Sequence, residues 1–129
     1  MTAEAEIEKL NELTEKVIGA AYLVANQLGN GFVEKVYENA LIVELKKAAL
    51  NVEPQHKWQV KYDKFIVGEF FTDLLVEEKI IVEVKAVNRL DEIHLAQCLN
   101  YLKASGLKLC LLLNFGKPKV EVKRIVNNF

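Results

Sequence analysis

The chain has 129 residues, which is enough for one domain with a single core and too few for two ordinary domains, so we expect one domain over residues 1–129. Hydrophobic residues make up 51% of it, which excludes a disordered polypeptide. The 17 basic and 18 acidic residues give a formal net charge of −1, so the chain lacks the strongly basic balance of many nucleic-acid-binding proteins, although a local basic rim beside a metal ion is compatible with it.

Two amphipathic helices are predicted in the first 50 residues, where apolar residues recur at spacings of three and four. We expect the first helix over 3–28 and the second over about 32–50, separated by the glycine-containing segment 29–31. Three strands are then predicted over about 55–62, 65–76 and 80–87. Polar turns join them, and together they form an antiparallel meander.

A third helix is predicted over about 92–104, directly after Asp91, which is a good N-cap residue. The apolar run 107–115 predicts a buried strand, and a crossover through a helix places it parallel to strand 80–87. The alternating run 119–126 is typical of an edge strand. The chain is therefore predicted to be α/β, with a mixed sheet flanked by helices.

Three ionisable residues lie in the otherwise apolar hairpin over 72–85. Glu83 and Lys85 are two residues apart, so the period of a strand places both on one face. A three-residue turn at 77–79 would set Asp73 opposite Glu83, with Cβ atoms about 4.5–5.5 Å apart. A two-residue turn at 77–78 would oppose Asp73 to Val82 instead, so the register decides whether the three residues form one site.

Two opposed carboxylates repel each other unless a positive charge lies between them. A divalent cation supplies that charge, and Mg²⁺ prefers oxygen ligands from one or two carboxylates with water and substrate phosphate. We therefore predict a Mg²⁺ site at Asp73 and Glu83, with Mn²⁺ as an alternative ion.

The compartment is predicted from the amino terminus and the cysteines. Residues 1–10 are acidic and lack the basic start and apolar run of a signal peptide. No apolar run approaches the roughly 18 residues needed to span a bilayer. Cys98 and Cys110 lie in apolar surroundings without metal-site spacing, which favours buried, reduced thiols. We expect a cytoplasmic protein without a membrane partner.

Three motifs together resemble those of a known superfamily. Asp73 followed by Glu83-Val84-Lys85 is similar to the D…ExK motif of PD-(D/E)XK nucleases. Residues 31–37, GFVEKVY, resemble the motif of the GxxExxY proteins, a branch of that superfamily, and residues 97–101, QCLNY, resemble the QxxxY of its exonuclease-like members. The resemblance extends from about residue 15 to the end of the chain. It implies a restriction-endonuclease-like αβββαβ core with an extra N-terminal helix.

The resemblance also implies a function and roles for single residues. The implied activity is metal-dependent hydrolysis of phosphodiester bonds in DNA, or another nucleic acid, by a metal-activated water. Asp73 and Glu83, with the backbone carbonyl of Val84, would hold the ion, and Lys85 would position the water or stabilise the transition state. The remaining implied roles are an accessory metal ligand at Glu34, a packing partner for it at Tyr37, and substrate orientation by Gln97 and Tyr101.

Other interpretations of the same residues remain open at this stage. Glu34 could simply favour the positive end of a helix, Glu38 is expected to be a surface charge, and His94 is expected to be a satisfied side chain rather than a ligand. The carboxylates could form an ion cluster with Lys85 in a non-catalytic interaction module, with a homodimer as one form of it. A nucleic-acid binder without cleavage would depend on the basic residues near the carboxyl end, namely Lys117, Lys119, Lys123 and Arg124.

Overall fold

The computed structural model describes residues 2–127. Two helices come first, three strands follow, and a third helix separates them from the last two strands. The elements are α1 (Ala3–Leu28), α2 (Glu34–Lys47), β1 (Val52–Tyr62), β2 (Phe65–Val76), β3 (Ile80–Lys85), α3 (Glu92–Ser105), β4 (Leu109–Asn114) and β5 (Glu121–Val126).

The helices agree with the predicted ones except at the ends of α2. That helix begins two residues later than expected because Val33 is extended, with φ −75° and ψ 160°. It ends at Lys47, and Ala49 then adopts a left-handed conformation with φ 62°. The N-cap predicted for α3 is confirmed, since the Asp91 side chain accepts hydrogen bonds from the amides of the first turn. No helix within residues 2–127 is both long and apolar enough to cross a membrane.

All five strands form one sheet in the order β1-β2-β3-β4-β5. The first three are antiparallel neighbours, which confirms the predicted meander. Strand β4 is parallel to β3, as the crossover predicts. Strand β5 lies at the edge of the sheet, as its alternating pattern predicts, and is antiparallel to β4. Strand β1 is longer than expected and begins at Val52. The α/β class with a mixed sheet and flanking helices is therefore confirmed.

The sheet separates two hydrophobic clusters. The larger one lies on the side of α1 and α2 and includes Val82 and Val84 of β3. The smaller one lies under α3 and includes Ile81 of the same strand, so the strand alternates between the two sides. Glu83 and Lys85 continue the row of Ile81, which places both on the α3 side, as the period of two predicts. Burial of a single large aliphatic side chain contributes about 1.5–3 kcal/mol, so both sides of β3 hold it in place.

The turn between β2 and β3 decides the register of the site. Glu77 and Glu78 have φ values of 52° and 57°, and the amide of Lys79 donates to the carbonyl of Val76 at 3.0 Å. Val76 pairs with Ile80. The three-residue turn is therefore confirmed, and the two-residue alternative that opposes Asp73 to Val82 is wrong.

Candidate active site

Two carboxylates accept backbone hydrogen bonds at the point where the ladder between β2 and β3 ends. Paired residues run from Val76 and Ile80 to Leu74 and Val82. Beyond that point the Asp73 amide donates to Glu83 Oε2 at 2.6 Å, and the Val84 amide donates to Asp73 Oδ2 at 2.8 Å. Side-chain oxygens thus accept the hydrogen bonds of backbone amides that face the neighbouring strand. The predicted convergence of Asp73 and Glu83 is confirmed.

Burial makes this pair electrostatically costly. The Glu83 side chain is almost fully buried, with 3% exposure. Burial, and after it the neighbouring Asp73, raise the pKa of Glu83 to about 8. Burial also raises the pKa of Asp73, against the opposing effect of the Val84 amide. Near neutral pH the two groups therefore either share a proton or require a cation beside them.

Lys85 lies close to the pair without neutralising it. It is the last residue of β3 and is partly exposed. Its positive charge lowers the pKa values of both Asp73 and Glu83, so its ammonium group is within electrostatic range of the two carboxylates. Among residues 2–127 it is in no ion pair. Its ammonium group is therefore available to a ligand.

The oxygen atoms at this point suit a hard divalent ion. In the described part of the chain, Asp73 Oδ1 and Glu83 Oε1 accept no hydrogen bond. The two backbone groups of a strand residue point toward the same neighbour, so the Val84 carbonyl faces β2 together with its amide, beyond the last paired residues. Mg²⁺ is held in proteins by one or two carboxylates and completes its shell with water. These three oxygen donors fit that requirement.

Glu34 does not join the pair as a third direct ligand. It is exposed in the first turn of α2, and its charge contributes to raising the pKa of Asp73. No group of three His, Cys, Asp or Glu side chains within residues 2–127 is arranged to hold a metal. Glu34 is therefore a neighbouring charge in this structure.

Glu38, one turn after Glu34, was expected at the surface, and that prediction is wrong. Its side chain is buried, with 4% residue exposure, and accepts hydrogen bonds from Gln55 Nε2 at 2.8 Å and Lys35 Nζ at 3.2 Å. The charge of Glu38 raises the pKa of Asp73 more than the charge of Glu34 does. The sequence carried one sign of this burial, because Glu38 lies three residues before the buried Leu41 and shares its side of α2.

Tyr37 positions the segment that leads into Glu34. Its fully buried hydroxyl donates to the Gly29 carbonyl at 2.6 Å and accepts from the Phe32 amide at 3.2 Å. Its ring stacks on Phe115, with centroids 4.8 Å apart. The tyrosine therefore closes the loop before α2 and fixes where that helix begins.

Helix α3 brings Tyr101 to the site. Burial, and next the charge of Glu83, raise the pKa of Tyr101 to about 12. Gln97 lies one turn earlier on the same side of the helix and is exposed, with no hydrogen bond within residues 2–127. His94 accepts from the Asp91 amide at 3.1 Å and so belongs to the helix cap, as expected of a satisfied side chain.

A pair of cysteines and an asparagine are buried in the part of the core next to the site. Cys98 and Cys110 are free thiols buried beneath α3, which confirms their prediction as buried, reduced cysteines. Asn114, at the end of β4, was missed. Its amide accepts from the Val87 amide and donates to the Val87 carbonyl, each at 2.9 Å, and so holds the chain that leaves β3 after Lys85. A lone polar residue at the end of an apolar strand was the available signal.

Comparison with known proteins identifies the family. A sequence profile of the PD-(D/E)XK nuclease superfamily matches residues 11–125. The chain belongs to this superfamily. A search among curated proteins gave no match.

Solved structures share the fold of this PD-(D/E)XK protein at low sequence identity. The crystal structure of SSO0001 superposes with a TM-score of 0.56 at 15% identity, over 74% of this chain and 51% of that one. An alkaline exonuclease from Laribacter hongkongensis superposes with a TM-score of 0.54 at 13% identity, over 84% of this chain and 68% of that one. The chain thus spans about half the length of SSO0001 and two thirds of the exonuclease.

Proposed function

We propose that this PD-(D/E)XK protein is a divalent-metal-dependent nuclease that hydrolyses phosphodiester bonds in DNA. One observation carries the proposal: Asp73 and Glu83 are opposed and largely buried, and no cationic side chain among residues 2–127 forms an ion pair with either. A fold gains nothing from an uncompensated buried charge pair, since such a pair lowers stability. Membership in a nuclease superfamily supplies a functional reason for this loss of stability, because the two carboxylates would hold a cation next to a phosphate.

The ion proposed is Mg²⁺, with Mn²⁺ as the alternative, held by Asp73, Glu83 and the Val84 carbonyl. When bound, such an ion lowers the pKa of water and offsets the charge on a phosphate. The chain's own contribution is to fix the two carboxylates before any ligand arrives, because backbone amides already hold one oxygen of each. Glu34 is proposed as the accessory carboxylate, acting through water, because Lys35 and Gln55 already occupy the oxygens of Glu38.

Lys85 is proposed to act on the reacting phosphate. Its ammonium is close to both carboxylates and is in no ion pair within residues 2–127. A lysine in that position can donate to the attacking water or to a phosphate oxygen whose negative charge grows in the transition state. Because β3 is packed on both sides, its position is set by the sheet rather than by a mobile loop.

Gln97 and Tyr101 are proposed to orient the substrate from α3. An exposed amide can both accept and donate, which suits the phosphate and base groups of a DNA strand. Tyr101 lies one turn after Gln97 in α3, and the charge of Glu83 contributes to raising its pKa. Together with Glu34 and Tyr37, these residues also support placement in the GxxExxY branch, which stays a proposal.

The competing interpretation, a non-catalytic module stabilised by an ion cluster, needs Lys85 to be paired with Asp73 or Glu83. The described residues contain no such pair. The raised pKa of Glu83 also points away from a satisfied cluster, in which a neighbouring cation would lower it. The nuclease is therefore favoured over the module.

The test is cleavage of labelled DNA, single-stranded and duplex, in Mg²⁺, Mn²⁺ or EDTA. We expect cleavage that requires the metal and is abolished in Asp73→Asn and Glu83→Gln, whereas Glu15→Gln, an exposed carboxylate change on α1, leaves it unchanged. RNA is included as a second substrate. A pure parent protein that cleaves none of these with either metal, or a Glu83→Gln variant as active as the parent, would rule the proposal out.

A further inference from the structure

A groove lies between the β1–β2 hairpin and α3. Its volume is about 760 Å³. Strand residues form one wall and the last two turns of α3 form the other. It is lined by Gln59, Val60, Lys61, Phe70, Asn100, Tyr101, Lys103 and Ala104.

The charged residues in the lining are both lysines, with no acidic residue beside them in it. Lys61 and Lys103 are exposed on opposite walls, and neither is in an ion pair among residues 2–127. The amides of Gln59 and Asn100 are likewise exposed. In a chain with a net charge of −1, this groove is a local positive surface that suits an anionic ligand.

An aromatic surface lies between the two lysines. The rings of Phe70 and Tyr101 stack with centroids 4.6 Å apart and planes only 8° from parallel, which joins the hairpin to α3. Trp58 pairs with Phe70 across the two strands. Flat aromatic groups beside lysines are the combination that binds single-stranded nucleic acids, because each base offers a face for stacking and each phosphate a charge.

Tyr101, which lines the groove, is also the residue that relates it to the carboxylate site. This side chain packs on the cluster under α3 that contains Leu75 and Ile81. Those two residues lie two positions from Asp73 and Glu83 along the same strands. The electrostatic effect of Glu83 on the Tyr101 hydroxyl is consistent with that proximity.

We propose that this groove binds one unpaired strand of a nucleic acid and leads it to the Asp73–Glu83 pair. The bases stack against the Phe70–Tyr101 surface, and Lys61 and Lys103 contact the phosphates. The proposal rests on the nuclease function for what happens at the carboxylates, and it names the substrate class as a single strand or a frayed end. Bases in an intact duplex are stacked on each other and cannot reach an aromatic wall.

The first test measures binding alone, in EDTA, by fluorescence anisotropy of a labelled oligothymidylate and of a closed hairpin duplex. We expect tighter binding to the single strand. The double variant Lys61→Gln/Lys103→Gln should lose about 25-fold in affinity near 0.1 M salt, and the slope of log K against log salt should shrink by about 1.4, which corresponds to two phosphate contacts. The matched control is Lys119→Gln/Lys123→Gln, which removes two exposed lysines near the carboxyl end and should change affinity less than about twofold.

A second readout uses Trp58, the single tryptophan of the chain. Because Trp58 lies opposite Phe70, oligothymidylate should change the fluorescence of Trp58 in the parent and in the control variant. The groove variant should need far higher concentrations of oligothymidylate for the same change. A groove variant that binds like the parent, a control that loses as much affinity, or equal affinity for the closed duplex would overturn the groove. Because no step requires cleavage, an inactive protein that still shows the expected binding would overturn the nuclease and leave the groove standing.

Discussion

The Asp73 amide donates to the Glu83 carboxylate at 2.6 Å across the point where the β2–β3 ladder ends. Each carboxylate of the pair is thus fixed by a backbone amide of the opposite strand, since Asp73 in turn accepts from Val84. The hydrogen bonds hold two like charges close together in a largely buried place. This arrangement sets the pH and metal dependence that we expect.

The metal-free protein should become less stable as the pH rises from about 4.5 to about 8. The pKa of Glu83 moves from its ordinary value of 4.5 to about 8 in the folded state, so the folded chain holds a proton over this interval that the unfolded chain has lost. Stability is then greatest below the lower value and is lost as the pH passes through the upper one, with a limiting slope of about 1.4 kcal/mol per pH unit for one proton. Urea unfolding in EDTA from pH 5 to 9 measures it.

Glu83→Gln is the matched variant for this pH dependence, because it keeps an acceptor for the Asp73 amide while removing the charge. Its unfolding free energy should be flatter with pH over the same interval. A variant with the parent's pH profile would show that another group is responsible.

Mg²⁺ or Mn²⁺ should raise the melting temperature of the parent. A ligand at 100 times its dissociation constant stabilises a fold by about 2.7 kcal/mol. Asp73→Asn and Glu83→Gln should lose most of this effect and should melt no lower than the parent in EDTA at alkaline pH, because a repulsion has been removed. If the carboxylates instead formed an ion cluster with Lys85, Glu83→Gln would cost about 3–5 kcal/mol whether or not metal is present.

Lys85→Met should lower the rate of cleavage by about 10²–10³-fold, the usual effect of removing one donor to a developing charge. The metal-induced rise in melting temperature should persist, because Lys85 is not a proposed ligand. Single-turnover kinetics at saturating DNA measure the chemical step apart from binding. The control is Lys79→Met, which changes an exposed lysine in the turn just before the same strand and should cleave like the parent.

The two carboxylates of α2 should behave differently. Glu34→Gln removes an exposed charge with no hydrogen bond in the described chain, so we expect weaker metal stabilisation and an unchanged melting temperature in EDTA. Glu38→Ala leaves Gln55 and Lys35 without their partner and should cost about 1–3 kcal/mol in unfolding free energy. Thermal melts of both variants with and without Mg²⁺ separate the roles. Equal metal responses in Glu34→Gln and the parent would remove Glu34 from the site.

Tyr37→Phe should destabilise the fold by about 1–3 kcal/mol, since the Gly29 carbonyl and the Phe32 amide lose their partner while the stacking on Phe115 is kept. Tyr22→Phe is the control, because Tyr22 is 39% exposed and should be near neutral. Chemical unfolding measures both. A neutral Tyr37→Phe would mean that water satisfies the loop equally well.

The sequence alone determined the parts that depend on local periodicity. Spacings of three and four set α1 and α3, a period of two put Glu83 and Lys85 on one side of β3, and turn length set the register that opposes Asp73 to Glu83. These features follow from neighbours along the chain. A motif search could therefore find the carboxylate pair.

Only the tertiary structure decided what covers each element. Glu38 resembles any helix-surface carboxylate until Gln55 of β1 meets it, 17 residues away in the chain. The stacking of Phe70 on Tyr101 joins residues from a hairpin and a helix that no local pattern relates. The periodicity of an element specifies which side is apolar, but the partner that buries this side is set by the packing of distant segments. For that reason the carboxylate pair could be predicted from the sequence, and the groove could not.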